Sequence, residues 1–169
     1  SIGKLCLNTD SILYDIGSGT GSVAVEAGLK LIDGQVYAIE RNEKALELIE
    51  RNKRKFVVDN IIVVKGTAPD VIADLPMPTH IFIGGSGGNL VRLIDCVLKK
   101  NPKVKIVVNV IALNTLAEII KIIEDKGLDA DIISINAAKD RLAGNYRLMT
   151  AHNPVYIITI NQDGDSYGT

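Results

Sequence analysis

Tryptophan is absent, and aromatic residues make up only 4% of the 169-residue chain. The core cannot then rest on large rings. It must be filled by Ile, Val and Leu, which occur here in short runs, as parallel strands covered on both faces require. Charge of one sign is also lacking. The 19 basic and 20 acidic side chains leave a net charge of −1, so no broad basic field exists for a nucleic-acid backbone and no nucleic-acid partner is expected. Cysteines number two, Cys6 and Cys96. They lie far apart without metal-ligand spacing, which fits reduced thiols in a cytoplasmic protein and implies no metal site. No apolar run approaches the ~18 residues of a membrane span. Asp10 and Asp15 interrupt the N-terminal apolar stretch that a signal peptide would keep continuous. No membrane partner is expected.

Apolar residues make up 47% and charged residues 23%, an ordinary globular balance. Runs of four to seven apolar residues alternate with segments of helical period. Strands are expected at residues 12–16, 36–40, 61–64, 81–83 and 106–111. Helices are expected at 22–31, after Asn42, from Leu90 to Leu98, and from Leu113 to Lys126, where Gly127 stops the helix. This order predicts an α/β fold with a mostly parallel, doubly wound, Rossmann-like sheet. The last third differs. Residues 132–135 and 155–160 read as strands, but 136–153 has no helical period, so an antiparallel hairpin is expected to finish the sheet. One domain is expected over residues 1–162, with a frayed polar tail at 163–169. The start at Ser1, without methionine, leads to the expectation of a further segment upstream.

The segment Asp15-Ile16-Gly17-Ser18-Gly19-Thr20-Gly21 ends a strand and opens a helix. Glycines there let the chain turn sharply and let a nucleotide-type cofactor lie against the main chain. The dinucleotide fingerprint would place its third glycine at position 22, which is Ser22. Asp15 stands two residues before the first glycine, where its charge would repel a pyrophosphate and hold a cationic amino-acid group. Glu40, at the end of the second strand, can accept both ribose hydroxyls. Alone it would read as a solvated strand end. Together these features favour S-adenosylmethionine over NAD as cofactor. No P-loop lysine follows the glycines. His80 and His152 are isolated, and neither is assigned a role.

Ligands of open α/β sheets lie beyond the carboxyl ends of the strands, where strand order reverses. That places Gly84-Gly85-Ser86-Gly87-Gly88, after the fourth strand, against the transferring group. Glycines there leave space for a bulky substrate and expose N–H groups to an anionic one; a loop that merely packs the next helix closely is an equal reading. Asn153-Pro154-Val155-Tyr156 falls too late in the chain to be the motif of amine methyltransferases.

Taken in order, the glycine loop, Tyr37-Ala38-Ile39-Glu40-Arg41-Asn42, Gly66-Thr67-Ala68-Pro69, the Gly84–Gly88 loop and Met149-Thr150-Ala151-His152-Asn153-Pro154-Val155 resemble the decarboxylating precorrin methyltransferases of cobalamin biosynthesis. Those enzymes methylate carbon-15 of a corrin precursor and remove carbon dioxide from an acetate arm. The resemblance implies a class I fold. It implies that Gly17, Ser18, Gly19, Thr20, Gly21, Glu40 and Ala68 line the S-adenosylmethionine site, with Asp15 and Gly84 beside them and Ala68 leaving room for the adenine. Gly85, Ser86 and Gly87 would face the substrate. The family also carries a Thr-Lys-containing segment ahead of the first strand, and with about eleven residues before that strand here the segment is expected to be missing from this stretch of sequence. Its members form tetramers, so a homo-oligomer is expected.

An acidic tetrapyrrole needs cations around it, and Lys139, Arg141 and Arg147 are the candidates; a solvated charged hairpin is an equal reading for each. No His or Cys stands out as a catalyst. Catalysis is then expected to be positioning and electrostatics. Three rivals stay open: another small-molecule class I methyltransferase, a nicotinamide-dependent oxidoreductase, and a non-enzymatic Rossmann-like domain.

Overall fold

A computed structural model describes residues 1–85 and 87–161. Ser86 and the expected tail 163–169 lie outside the described residues. The central strands β1 (Ile12–Ile16), β2 (Gln35–Glu40), β4 (His80–Ile83) and β5 (Lys105–Val110) are buried along almost their whole length. This is the consequence of apolar side chains on both faces of the pleat. With β3 (Ile61–Lys65) they pair in parallel, and the full sheet runs β3-β2-β1-β4-β5-β9-β6. Strands β6 (Ala130–Ile135) and β9 (Val155–Ile160) pair antiparallel, and β9 also runs antiparallel to β5. The doubly wound sheet and its antiparallel finish are as the sequence predicts.

Alternation along β1 divides the core into two layers. Tyr14 and Ile16 face one layer, packed with α4 (Leu90–Lys100) and α5 (Leu113–Lys126). Leu13 faces the other, packed with α1 (Ile2–Leu5), α2 (Ser22–Gly28) and Ile49 of α3 (Glu43–Phe56). Leu90, Leu93, Ile94 and Val97 are fully buried, four positions of the i, i+3, i+4, i+7 stripe. Each such side chain contributes roughly 1.5–3 kcal/mol relative to exposure.

Local chemistry sets the helix ends. Asn42 Oδ1 accepts the N–H of Ala45, capping α3. Gly127, at φ +60°, closes α5 in the left-handed conformation that glycine adopts freely. The apolar residues after Asn42, namely Ala45, Leu46, Leu48, Ile49 and Phe56, are expected from their spacing to share one face of α3, and that face is only partly inward. Ile49 is buried, whereas Leu48 and Phe56 remain exposed, and the Lys55 ammonium lies 5.5 Å from the Phe56 ring.

The segment expected to be unperiodic is a second hairpin. β7 (Ala138–Ala143) and β8 (Tyr146–Ala151) pair only with each other, as a separate two-stranded sheet. Nearly every residue of this arm is exposed. No buried face imposes an alternation, which is why the sequence carries no period there.

Candidate active site

The strand order reverses between β1 and β4, and the ligand crevice of such sheets opens at that point. A cavity of ≈ 240 Å³ lies there. Ile16 and Gly17 line it from β1, Ile39, Glu40 and Arg41 from β2, Thr67 and Ala68 from the loop after β3, and Gly85 and Gly87 from the loop after β4. Loops after β1 and β4 are pinned to the sheet. Gly17 N–H bonds Ile39 O at 3.0 Å, and Gly84 N–H bonds Ile16 O at 3.0 Å.

Glu40 is the acceptor at this cavity. Its Oε2 accepts Gly19 N–H at 2.9 Å, and its Oε1 accepts the N–H groups of Arg41 at 2.8 Å and Asn42 at 2.9 Å. Burial pushes its pKa up. The N–H donors of Asn42, Gly19 and Arg41, with the Arg41 charge, outweigh that and hold it below the usual carboxylate range. A carboxylate has about four lone-pair sites, so with three N–H donors in place one acceptor site remains, on Oε2, for a hydroxyl.

Asp15 was expected to aim its charge at the ligand; it lies behind the loop instead. Strand alternation puts it opposite Tyr14 and Ile16, on the α2 side. Its Oδ2 accepts Ser18 Oγ–H at 2.5 Å and Ala24 N–H at 3.1 Å, so it braces the glycine loop against the first turn of α2. Burial pushes the Asp15 carboxyl up to about 6; the Ser18 and Ala24 donors act against burial, and the Glu40 charge adds to it. Its Oδ1 is buried and has no hydrogen-bond partner among the described residues.

Of the residues expected at the cofactor, Gly17, Glu40 and Ala68 line the cavity, and Gly19 serves it through Glu40. Ser18 is buried on Asp15. Thr20 and Gly21 face α3, where Thr20 O accepts from Asn52 Nδ2 at 2.8 Å and a Cβ on Gly21 would lie 3.2 Å from Ile49.

A second cavity, ≈ 230 Å³, opens between the carboxyl ends of β4 and β5. Gly84 and Gly85 form one wall, Leu90 another, and Asn109, Ile111 and Thr115 the rest. Gly84 was expected on the cofactor side and lines this cavity. Gly85 borders both cavities, and Gly87 borders the first. The expected position Ser86 lies outside the described residues.

Lys139, Arg141 and Arg147 line neither cavity. They sit exposed on the β7–β8 arm. Lys139 and Arg141 share one face, opposite Thr150 and Leu148, whereas Arg147 sits on the other, ion-paired with Asp140. Sequence reasoning missed Arg41, Asn109 and Thr115. A signal for Asn109 was present, because it is the one polar residue in the run Ile106–Ile111.

The residues present fit a nucleoside-bearing cofactor. Side-chain-free backbone at Gly17 and Gly85, an ionised acceptor at Glu40 and a small apolar wall at Ala68 meet in one cavity. Sheet order and cavity are those of the class I methyltransferase fold, which the chain shares with a solved methyltransferase at 39% identity. A family model described as the precorrin methyltransferase domain matches residues 1–162, and the chain belongs to that family. It is 41% identical, over 94% of its length and 83% of the relative's, to a probable cobalt-precorrin-6B C(15)-methyltransferase (decarboxylating) from Pyrobaculum calidifontis. It is 34% identical to the cobalt-precorrin-6B C(15)-methyltransferase (decarboxylating) of Salmonella typhimurium, over 96% and 85% of the two chains. Among solved structures, the precorrin-6Y C5,15-methyltransferase of Geobacter metallireducens matches with a TM-score of 0.86 at 39% identity, covering 94% of this chain and 85% of that one.

Proposed function

We propose that this chain is an S-adenosylmethionine-dependent methyltransferase that methylates carbon-15 of a corrin precursor, precorrin-6Y or cobalt-precorrin-6B, with loss of carbon dioxide from an acetate arm, in cobalamin biosynthesis. One observation carries the reading: the cavity at the topological switch point holds Glu40 as an ionised acceptor and shares a glycine wall at Gly85 with the cavity beside it, between β4 and β5. S-adenosylmethionine supplies an electrophilic methyl group on a sulfonium. Gly17 and Gly19 let it lie on the main chain, Glu40 accepts a ribose hydroxyl on Oε2, and Ala68 leaves room for the adenine. Asp15, Ser18, Thr20 and Gly21 hold the loop in shape from behind. Gly84, Gly85 and Gly87 leave the path between the cavities open for an electron-rich carbon. An electron-rich tetrapyrrole carbon needs no strong base, so alignment and exclusion of water are the tasks left to the protein.

The arm fits this reading as an assembly element. Leu142, Tyr146 and Met149 are each about 70% or more exposed, and an isolated two-stranded hairpin is marginal in water. A homo-oligomer, the tetramer of the family, gives these side chains a partner. Lys139 and Arg141, together on one face, attract the peripheral carboxylates of the substrate, and Arg141→Ala raises the substrate KM. No helix among the described residues is long and apolar enough to cross a membrane, which fits work in the cytoplasm.

Titration calorimetry with S-adenosylmethionine and with NAD tests the cofactor. Incubation with the corrin precursor and labelled methyl donor tests the reaction, and both methyl incorporation and carbon dioxide release are expected. Heat with NAD and none with S-adenosylmethionine overturns the reading.

A further inference from the structure

We propose that Arg41 binds a peripheral carboxylate of the corrin substrate at the rim of the first cavity, beside the loop after β4. The inference rests on the corrin reading above and names a contact through which that site takes its acidic substrate. Arg41 follows Glu40 at the end of β2 and lines the first cavity. Its guanidinium reaches from the β2 side to the loop after β4, where Nη1 lies 3.9 Å from the position a Cβ on Gly87 would take. The backbone N–H of Arg41 is committed to Glu40 Oε1. Its side chain is exposed, and no ion pair or hydrogen bond among the described residues takes the guanidinium. A full set of charged donors thus stands free between the cofactor cavity and the substrate-side loop.

Charge decides which ligand that guanidinium serves. Of the residues lining the two cavities, Glu40 and Arg41 are the ionisable ones, so Arg41 is the single cation among them. Glu40 does not need it as a partner, because three N–H donors already hold its carboxylate. The cofactor carries a sulfonium and an ammonium, which a guanidinium repels, against one carboxylate. The corrin precursor carries several carboxylates, and the planar fork of arginine matches a carboxylate with two parallel N–H donors. Gly87 stands at φ +59°, a conformation that resists other residues, so the loop presents bare main chain beside the guanidinium and leaves the approach open. An exposed ion pair contributes little in water. A macrocycle seated over the loop covers this one, and exclusion of water strengthens it.

Titration calorimetry with the corrin precursor tests this on the whole chain saturated with S-adenosylhomocysteine, the demethylated cofactor, which fills its site and cannot react. The parent is compared with Arg41→Met, which keeps the aliphatic stem without the charge, and with Arg41→Lys, which keeps the charge without the fork. Loss of the charge-assisted pair weakens precursor binding about tenfold in the Met variant, and Lys recovers part of that loss. Added salt weakens precursor binding by the parent more than by the Met variant. The Kd for S-adenosylmethionine, measured separately, stays within about twofold of the parent in both variants. Parent-like precursor binding by Arg41→Met overturns the inference. So does an affinity for S-adenosylmethionine that falls as far as that for the precursor, which would assign the guanidinium to the cofactor's own carboxylate. A Lys variant no better than Met also overturns it, by assigning the loss to the packing of the stem. A parent chain that does not bind the precursor at all overturns the corrin reading itself, and this inference with it.

Discussion

Gly17 and Gly85 meet backbone to backbone: a Cβ on Gly17 would lie 2.7 Å from the Gly85 carbonyl oxygen and 2.9 Å from its nitrogen. Gly17 also stands at φ +70°, where an L side chain costs roughly 1–2 kcal/mol before any clash. Gly17→Ala therefore pushes the β1 and β4 loops apart. The variant is expected to melt several degrees below the parent, by roughly the amount a few kcal/mol produces in a domain this size, and to lose most of its calorimetric heat with S-adenosylmethionine. A parent-like melt together with parent-like binding would show that the loops do not touch.

Glu40→Gln exchanges an acceptor-only group for one whose NH₂ must face a backbone donor. Three N–H groups now point at its carboxylate, so the amide strands at least one of them and loses charge-assisted bonding to ribose hydroxyls. Bonds to charged groups contribute about 1.5–3 kcal/mol each, so the Kd for S-adenosylmethionine is expected to rise about ten- to a hundredfold. A methylsulfonium donor that lacks the whole nucleoside, and so has no ribose, serves as the control.

The buried Asp15 carboxyl makes stability depend on pH in a defined window. Its value rises from 3.8 to about 6 on folding, chiefly through burial. Below 3.8 it is protonated in both states, and its contribution is fully present. As pH climbs toward about 6 the unfolded chain ionises first, and the contribution is lost as pH passes the folded value. The stability of the parent minus that of Asp15→Asn is expected to fall by roughly 3 kcal/mol across this window and to stay flat above it. Urea unfolding of both chains at a series of pH values checks this; parallel profiles would place the carboxyl in solvent.

On the arm, Leu142 and Met149 share a face with Asp140 and Arg147. Lysine at both positions puts charge where an apolar partner surface is needed. Light scattering is expected to show a lower assembly mass for Leu142→Lys/Met149→Lys. Each chain's affinity for S-adenosylmethionine should persist, because neither residue lines a cavity. An unchanged mass removes this face of the arm from the interface.

Burial on both sides made the fold legible. Runs such as Ile106–Val110 and the stripe Leu90, Leu93, Ile94 and Val97 have no alternative to a central strand and a covered helix. Turn chemistry was legible for the same reason, since Gly127 and the glycine loop need conformations that other residues resist. The arm was not legible as two strands, because side chains such as Leu142 and Tyr146 have no inner face to alternate toward. Asp15 was located correctly at the strand end but aimed wrongly. Alternation from Tyr14 and Ile16 held the answer, yet spacing from the glycines does not reveal which face a side chain takes. Asn109 and Thr115 border one cavity only because the start of α5 folds back to the end of β5, a proximity no local motif encodes.

A Cβ built on Gly85 meets nothing within 4 Å, and its φ is not among the positive ones. Folding therefore makes no demand for glycine at that position. On the proposed reading, a methyl or hydroxymethyl placed there would stand in the doorway between donor and acceptor rooms, since Gly85 borders both cavities. If that reading holds, position 85 is a dial on throughput: substitutions that the architecture tolerates would narrow the passage through which the reacting partners see each other.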